Sequence, residues 1–136
     1  MILVIDTNRI IAALIKDSAS RKIIYSDKFL LLTPKFTLEE LKGNRKEILT
    51  KTRLSGTAFE SLLSILMSNL YVVDDSIIKY KLEEAKPIMD KIDKNDTPFI
   101  ALALAIANDG IWTDDKHFER QNRIKVWKTS DLIRFI

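Results

Sequence analysis

Short apolar runs alternate with segments of helical periodicity along this chain. Ile2 to Ile5 contains no polar position, which is typical of a strand buried on both faces. Further strands are predicted at Phe29 to Thr33, Leu70 to Val73, Ile111 to Thr113 and Ile124 to Trp127. Strands that alternate with helices favour an α/β fold, with helices on both faces of a central parallel sheet of four to five strands.

Amphipathic segments lie between these strands. Apolar residues recur at helical spacing within residues 10–15, and helices are predicted over about Phe36 to Lys46 and Thr57 to Asn69. Ser76 to Lys91 is also amphipathic, but Pro87 predicts a kink or a break within it.

The most apolar helix is predicted near the carboxyl end of the chain. Asp96-Thr97-Pro98 has the composition of a helix start, with Asp as the cap and Pro in the first turn. The helix that follows, to about Asn108, is nearly all apolar and must therefore be central. Ser130 is predicted to cap a last short helix.

Length and composition indicate one globular domain over residues 1–136. The chain has no Cys, which removes both disulfides and thiolate metal sites. Its longest apolar run, Phe99 to Ala107, is far shorter than the ~20 residues that span a bilayer. The apolar start of the chain is also too short for a signal peptide. A cytoplasmic protein without a membrane span is expected.

Net charge and residue counts restrict the partners and reaction mechanisms that the sequence allows. The net charge of +3 and the pI of about 9.1 permit a polyanionic partner without requiring one. His117 is the single His, which excludes mechanisms that need two imidazoles. The three Gly, at positions 43, 56 and 110, cannot form a phosphate-binding glycine loop.

Carboxylates occur where this fold class would bring them together. Asp6 follows the first strand, Asp114 and Asp115 follow the fourth, and Asp96 begins the apolar helix. Sites in parallel sheets form beyond the carboxyl ends of the strands. Glu40, in the second helix, is the remaining candidate.

A cluster of carboxylates is suited to a hard divalent cation such as Mg²⁺ or Mn²⁺. Without a cation the carboxylates would repel one another, and some would be protonated. With a cation they could hold a scissile phosphate and activate a water molecule. An acid-only site therefore indicates phosphodiester hydrolysis.

Four sequence motifs resemble those of the PIN-domain family. VIDTN at Val4 to Asn8 is similar to its first strand and first acid, and TLEEL at Thr37 to Leu41 is similar to its second motif. DTPFIALALA at Asp96 to Ala105 and WTDDKHF at Trp112 to Phe118 resemble the third and fourth. The likeness runs from residue 2 to about residue 127.

This resemblance implies a three-layer α/β/α PIN fold and a Mg²⁺- or Mn²⁺-dependent endoribonuclease. It implies Asp6, Glu40, Asp96 and Asp115 as catalytic acids, and its register favours Glu40 over Glu39. Asp114 competes with Asp115 as a metal ligand. Many PIN domains of this length are VapC-type toxins held by a small antitoxin, commonly as homodimers, whereas others act in RNA processing.

Each acid also has a structural interpretation that the sequence leaves open. Asp6 and Asp96 are suited to capping the helices that follow them, and Asp115 is suited to a turn. Glu40 has the spacing of a capping-box partner for Thr37.

Polar residues beside the acids are candidates for substrate binding. Asn8 and Thr113 would contact a phosphate or a cation-bound water, or would satisfy turn backbone. Lys116 and Arg120 begin a basic stretch that could steer RNA phosphates toward Asp115; an antitoxin's acidic segment is the alternative partner. Asp93 is expected near the rim of the site. His117, near a turn, is interpreted as incidental.

Two other functions fit some of these features. One is a PIN-like module that binds RNA or protein without cutting. The other is a phospho-acceptor receiver domain, for which Asp74 and Asp75 follow the predicted third strand. Asp6 lacks the paired acid that such a receiver usually has after its first strand.

Overall fold

The computed structural model describes residues 1–16 and 18–136. Within that part of the chain, five strands form one parallel sheet. They are β1 (Ile2–Ile5), β2 (Leu30–Pro34), β3 (Leu70–Val73), β4 (Ile111–Trp112) and β5 (Val126–Trp127). Their order is β3-β2-β1-β4-β5, which places β1 at the centre. The predicted α/β class is confirmed.

Helices connect the strands and cover the sheet. The amino-terminal half contains α1 (Thr7–Ile15), α2 (Ser18–Tyr25), α3 (Phe36–Gly43), α4 (Arg45–Thr52) and α5 (Gly56–Ser68). The carboxyl-terminal half contains α6 (Asp75–Ile78), α7 (Leu82–Asp93), α8 (Thr97–Ala105) and α9 (Thr129–Leu132). Short 3₁₀ helices lie at Lys79–Lys81, Lys94–Asp96, Lys116–Arg120 and Ile133–Phe135.

Two apolar cores lie on opposite faces of the sheet, because successive strand residues point to opposite sides. Leu3 and Ile5 of β1 pack with α1, α2 and α5, whereas Val4 between them packs with α7 and α8. In β4, Trp112 belongs to the first core and Ile111 to the second. The result is a three-layer α/β/α fold, as the resemblance implied.

The central position of α8 is also confirmed, since Phe99 to Leu102 are almost completely buried. Gly110 follows it with a φ of 135°, and a Cβ there would lie 2.5 Å from the carbonyl oxygen of Lys125. Only glycine combines this backbone conformation with such a close approach. Gly110 thereby allows β4 to pair closely with β5.

Several predicted element boundaries differ from the structure. The chain breaks at Lys79–Lys81 rather than near Pro87, which lies inside α7 on an exposed face where water can bind the freed carbonyl. The predicted helix from Phe36 divides into α3 and α4, and the helix after Asp96 ends at Ala105. Ser130 lies within α9 and does not cap it.

The predicted capping box is wrong. The residue that caps α3 is Lys35, without a side-chain cap. The side chains of Thr37 and Glu40 form tertiary hydrogen bonds instead.

Among the described residues, no helix has both the length and the apolar character to cross a membrane.

Candidate active site at the carboxyl edge of the sheet

Asp6 and Asp115 meet through one threonine hydroxyl. The hydroxyl of Thr113, just after β4, donates to Oδ2 of Asp6, just after β1, over 2.8 Å. The same hydroxyl accepts the backbone N–H of Asp115 at 3.0 Å. Since β1 and β4 are paired parallel neighbours, their carboxyl ends lie side by side. The sheet therefore positions both acids.

Asp6 is both a helix cap and a buried acid. Its side chain accepts the backbone N–H of Asn8 at 3.4 Å at the start of α1, and the residue is 3% exposed. Burial raises the pKa of the Asp6 carboxyl, and the charge of Asp115 acts in the same direction. The hydrogen bonds from Thr113 and Asn8 favour its ionised form and oppose the rise. The capping interpretation and the site interpretation are compatible here.

Glu40 reaches the site through a chain of threonine hydroxyls. Thr7 donates to Oε1 of Glu40 at 2.7 Å, and Thr37 lies 3.0 Å from Thr7. Thr33, at the end of β2, lies 2.6 Å from Thr37. The three threonines are buried, whereas neighbouring Glu39 is exposed. The structure thus distinguishes Glu40 from Glu39.

The number of hydroxyl protons determines the direction of the hydrogen bonds between these threonines and Glu40. The single hydroxyl proton of Thr7 is donated to the carboxylate, so Thr37 must donate to Thr7. The proton in the 2.6 Å contact between Thr33 and Thr37 then comes from Thr33, whose hydroxyl also lies 3.4 Å from the carbonyl oxygen of Ile5. Three aligned donors favour the ionised form of Glu40, whereas burial and the charges of Asp6 and Asp93 raise its pKa.

Asp96 lies among four other acids whose charges disfavour its ionised form. Burial, as the largest cause, and the charges of Asp93, Asp6, Asp115 and Glu40 together raise its pKa to about 8. Its Oδ2 atom is buried and accepts no hydrogen bond in the described structure. The predicted side-chain cap of α8 is absent from the described contacts, because the backbone of Asp96 is helical and its carboxylate points elsewhere.

The side chains of Asp93 and His117, which the sequence did not place among the catalytic acids, lie beside Asp96. Nδ1 of His117 is 3.4 Å from Asp93 Oδ2, 3.6 Å from Asp115 Oδ1 and 3.8 Å from Asp96 Oδ2. Ligand atoms of Asp93, Asp96 and His117 all lie within 4.8 Å of one another and could hold a metal ion. The interpretation of His117 as incidental does not fit this position.

Asp114 is directed away from this cluster. One of its oxygens accepts from Arg9 Nη1 and from the Thr129 hydroxyl, both at 2.7 Å. The other accepts the backbone N–H of Thr129 at 2.8 Å. Both oxygens are therefore engaged in fastening α1 to the start of α9, which does not fit the expected metal-ligand role.

The predicted substrate residues have different surroundings. Thr113 is fully buried and its hydroxyl is engaged with the two acids, so it does not offer the expected surface contact. Asn8, Lys116 and Arg120 are exposed. Arg120 lines a groove beside α7 with Ile88 and Lys91 among others, rather than the acidic cluster.

The site as a whole suits a divalent cation. Five carboxylates converge, namely those of Asp6, Glu40, Asp93, Asp96 and Asp115, and the pKa values of Asp6, Glu40 and Asp96 are raised. The buried Oδ2 of Asp96 has no partner among the described residues. A cation would relieve the repulsion and supply the missing partner. Oxygen donors are the ligands that Mg²⁺ and Mn²⁺ prefer.

Sequence reasoning missed the residues that position the acids. Thr33 and Arg9 carry no motif signal, because each acts through a tertiary contact, and Thr37, although it lies in the TLEEL motif, is interpreted from the sequence as a helix cap. The signal available for Asp93 was its spacing of three residues from Asp96. That spacing placed it near the rim of the site, which is where it lies.

Comparisons with known proteins agree with this geometry. A family model described as PIN domain matches residues 4–133. The chain is similar to one in the crystal structure of VapBC2 from Rickettsia felis bound to a DNA fragment from their promoter. The TM-score is 0.72 at 18% identity, and the match covers 94% of this chain and 98% of that one. No curated protein matches the sequence.

Proposed function

The chain belongs to the PIN-domain family, and on that basis we propose that it is a divalent-cation-dependent endoribonuclease that cuts single-stranded RNA. One observation carries the proposal. Asp6, Asp96 and Asp115, which are far apart in sequence, lie in one cluster: the Thr113 hydroxyl bonds both Asp6 and the Asp115 backbone, and Nδ1 of His117 lies 3.6 Å from Asp115 and 3.8 Å from Asp96. Burial, with the added charges of Asp93, Asp6 and Asp115, raises the pKa of Asp96 to about 8. Such repulsion is costly unless a cation offsets it.

In this proposal Asp6, Asp96 and Asp115 hold Mg²⁺ or Mn²⁺, directly or through water. A bound cation would lower the pKa of a water molecule and offset charge on the scissile phosphate. Asp114 is left out of the ligand set, because Arg9 and Thr129 engage both of its oxygens.

Glu40 is proposed as the general base. The hydroxyl of Thr7 fixes its Oε1 atom and favours its ionised form, which is the form that can accept a proton from the attacking water. The carboxylates around Glu40 repel the negatively charged RNA phosphate. In this proposal the phosphate therefore binds with its charge offset by the cation.

Lys116 and Arg120 are proposed to steer the RNA backbone. Both are exposed, and neither forms an ion pair among the described contacts. By contrast, Arg123 pairs with Glu84 and Lys128 pairs with Glu119. Within this basic stretch, the two cations nearest in sequence to Asp115 are therefore without an ion pair in the described contacts, as expected for electrostatic guidance of a polyanion.

We further propose that the protein is the toxin of a VapBC-type pair and forms a homodimer. The motif resemblance supports this, as does a fold similar to a chain of the VapBC2 complex. Exposed apolar side chains, among them Ile77 and Tyr80, offer surface for a second subunit. Pull-down of a small co-expressed neighbouring gene product, and light scattering of the isolated protein, test the two assemblies.

The nuclease proposal is tested by cleavage of single-stranded RNA in Mn²⁺, before and after EDTA. We expect EDTA to abolish cleavage and added Mn²⁺ to restore it. Asp6→Asn and Asp96→Asn should fold and lose most cleavage, whereas Asp27→Asn, at the opposite edge of the sheet, should retain it. Wild-type rates in either site variant would overturn the assignment. RNA binding without cutting by the wild type would instead identify a non-catalytic module.

A further inference from the structure

The imidazole of His117 faces the acidic cluster with its Nδ1 atom. That atom is buried and has no hydrogen-bond partner among the described residues, although the side chain as a whole is 41% exposed. Oδ2 of Asp96, 3.8 Å away, is likewise buried and without a partner. A nitrogen and an oxygen that could both bind one cation thus face the same space without a hydrogen bond between them.

We propose that His117 is a metal ligand and that, with Asp93 and Asp96, it makes this site prefer Mn²⁺ over Mg²⁺. The inference rests on the proposed function, which requires a divalent cation, and it adds the identity of that cation and a nitrogen ligand. The ligand atoms of the three residues lie within 4.8 Å of one another.

The distances fit a shared ion better than direct ion pairs. A charged imidazole bonded to a carboxylate would place nitrogen and oxygen about 2.7–2.9 Å apart. The observed separations are 3.4, 3.6 and 3.8 Å. Ligands at about 2.1 Å from one octahedral ion are roughly 3 Å apart when adjacent and about 4.2 Å when opposite. The observed values lie between these limits.

The fold holds these groups in place. His117 lies in the 3₁₀ helix that Asp115 begins, where the Asp115 carboxylate accepts the backbone N–H of His117 at 2.9 Å. The next residue, Phe118, is fully buried and packs edge-to-face on Phe99 of α8 at 6.4 Å. This contact fastens the His117 segment to the helix that Asp96 precedes, so the site is preorganised.

The nitrogen ligand decides the choice of cation. Both cations bind carboxylate oxygens, but Mg²⁺ retains its waters and dehydrates reluctantly, whereas Mn²⁺, a transition-metal ion, accepts an imidazole nitrogen beside the oxygens more readily than Mg²⁺ does. The carboxylates alone would serve both cations. Replacing the imidazole should therefore weaken Mn²⁺ binding and leave Mg²⁺ binding nearly unchanged.

Pulsed electron paramagnetic resonance of bound Mn²⁺ tests the coordination without any mutation. Because His117 is the single His of the chain, labelling with ¹⁵N-histidine places the isotope at one side chain. We expect a ¹⁵N coupling of the size found for directly bound imidazole. Bound Mn²⁺ without that coupling would overturn the proposal and leave His117 as a neighbour of the acids that does not bind the cation.

Calorimetric titration with Mn²⁺ alone and Mg²⁺ alone tests the preference. His117→Gln should lose about 10-fold or more in Mn²⁺ affinity, the size seen when groups that support a metal are removed, while Mg²⁺ affinity changes less than about twofold. Asp27→Asn is the matched control, with both affinities unchanged. Equal losses for the two cations, or no loss, would contradict the inference.

Failure of this inference is distinguishable from failure of the proposed function. If Asp96→Asn abolishes Mn²⁺-dependent RNA cleavage but no nitrogen coupling is seen, the nuclease stands and the His117 ligand does not. If the wild type binds no divalent cation at all, both are wrong.

Discussion

Thr113 joins Asp6 to the chain segment that carries Asp115. Its hydroxyl donates to Asp6 over 2.8 Å and accepts from the Asp115 backbone over 3.0 Å, across 107 residues of sequence. Thr113 is fully buried, so water cannot replace either bond. The relative position of two site acids therefore depends on one hydroxyl group.

Replacing Thr113 with Val should damage stability and activity together. The variant keeps the shape but leaves the buried Asp6 carboxylate without its side-chain donor, which should cost about 1–3 kcal/mol of unfolding free energy. Cleavage or Mn²⁺ affinity should fall about 10- to 100-fold. Urea unfolding and RNA cleavage measure these effects. Thr113→Ser should recover most of the stability and most of the cleavage, and exposed Thr57→Val should match the wild type. Equal behaviour of Thr113→Val and Thr57→Val would show that the Thr113 hydroxyl does not link the two acids.

The adjacent acids Asp114 and Asp115 should respond differently to the same change. Asp115→Asn should lose Mn²⁺ binding by about 10-fold or more. Asp114→Asn should bind Mn²⁺ like the wild type but lose about 1 kcal/mol of stability, because its partners Arg9 and Thr129 are partly buried. Calorimetric titration and thermal unfolding separate the two effects. The reverse pattern would show that Asp114 is the ligand.

Asp96 should make the metal-free protein less stable as the pH rises. Its carboxyl pKa is 3.8 in an ordinary setting and about 8 in the fold. Between these values the folded state binds a proton that the unfolded state has released, so the unfolding free energy falls with rising pH until about pH 8. The raised pKa values of Asp6 and Glu40 act in the same direction.

Urea unfolding in EDTA across this pH range, for the wild type and Asp96→Asn, measures the effect of Asp96. The variant should lose less stability with rising pH and be the more stable protein at the alkaline end. Mn²⁺ should stabilise the wild type most where Asp96 would otherwise be ionised without a partner. Parallel pH curves for the two proteins would refute this prediction.

Thr7 should set the pH at which Glu40 works. Its hydrogen bond lowers the pKa of Glu40, so Thr7→Val should raise that pKa and move the acidic limb of the cleavage profile to higher pH. Thr7→Ser keeps the donor and should keep the wild-type profile. If Thr7→Val lowers the rate equally at every pH, Glu40 is not the titrating base.

The sequence by itself determined the fold class and the edge at which the acids gather. β1 is buried on both faces and must therefore be apolar throughout, and α8 lies between the sheet and α7 and must be apolar all round. Such patterns are visible without coordinates. Because parallel strands end at a common edge, the positions of Asp6 and Asp115 followed from the strand ends alone.

Only the tertiary structure decided which neighbouring side chains enter the site. Successive residues of an extended segment point to opposite sides, so Thr113 and Asp115 turn toward Asp6 while Asp114 turns toward Arg9. The partners of Glu40 and the surroundings of His117 likewise come from distant elements. Burial and through-space charge arise from packing between such elements, and residue spacing along the chain carries no measure of either.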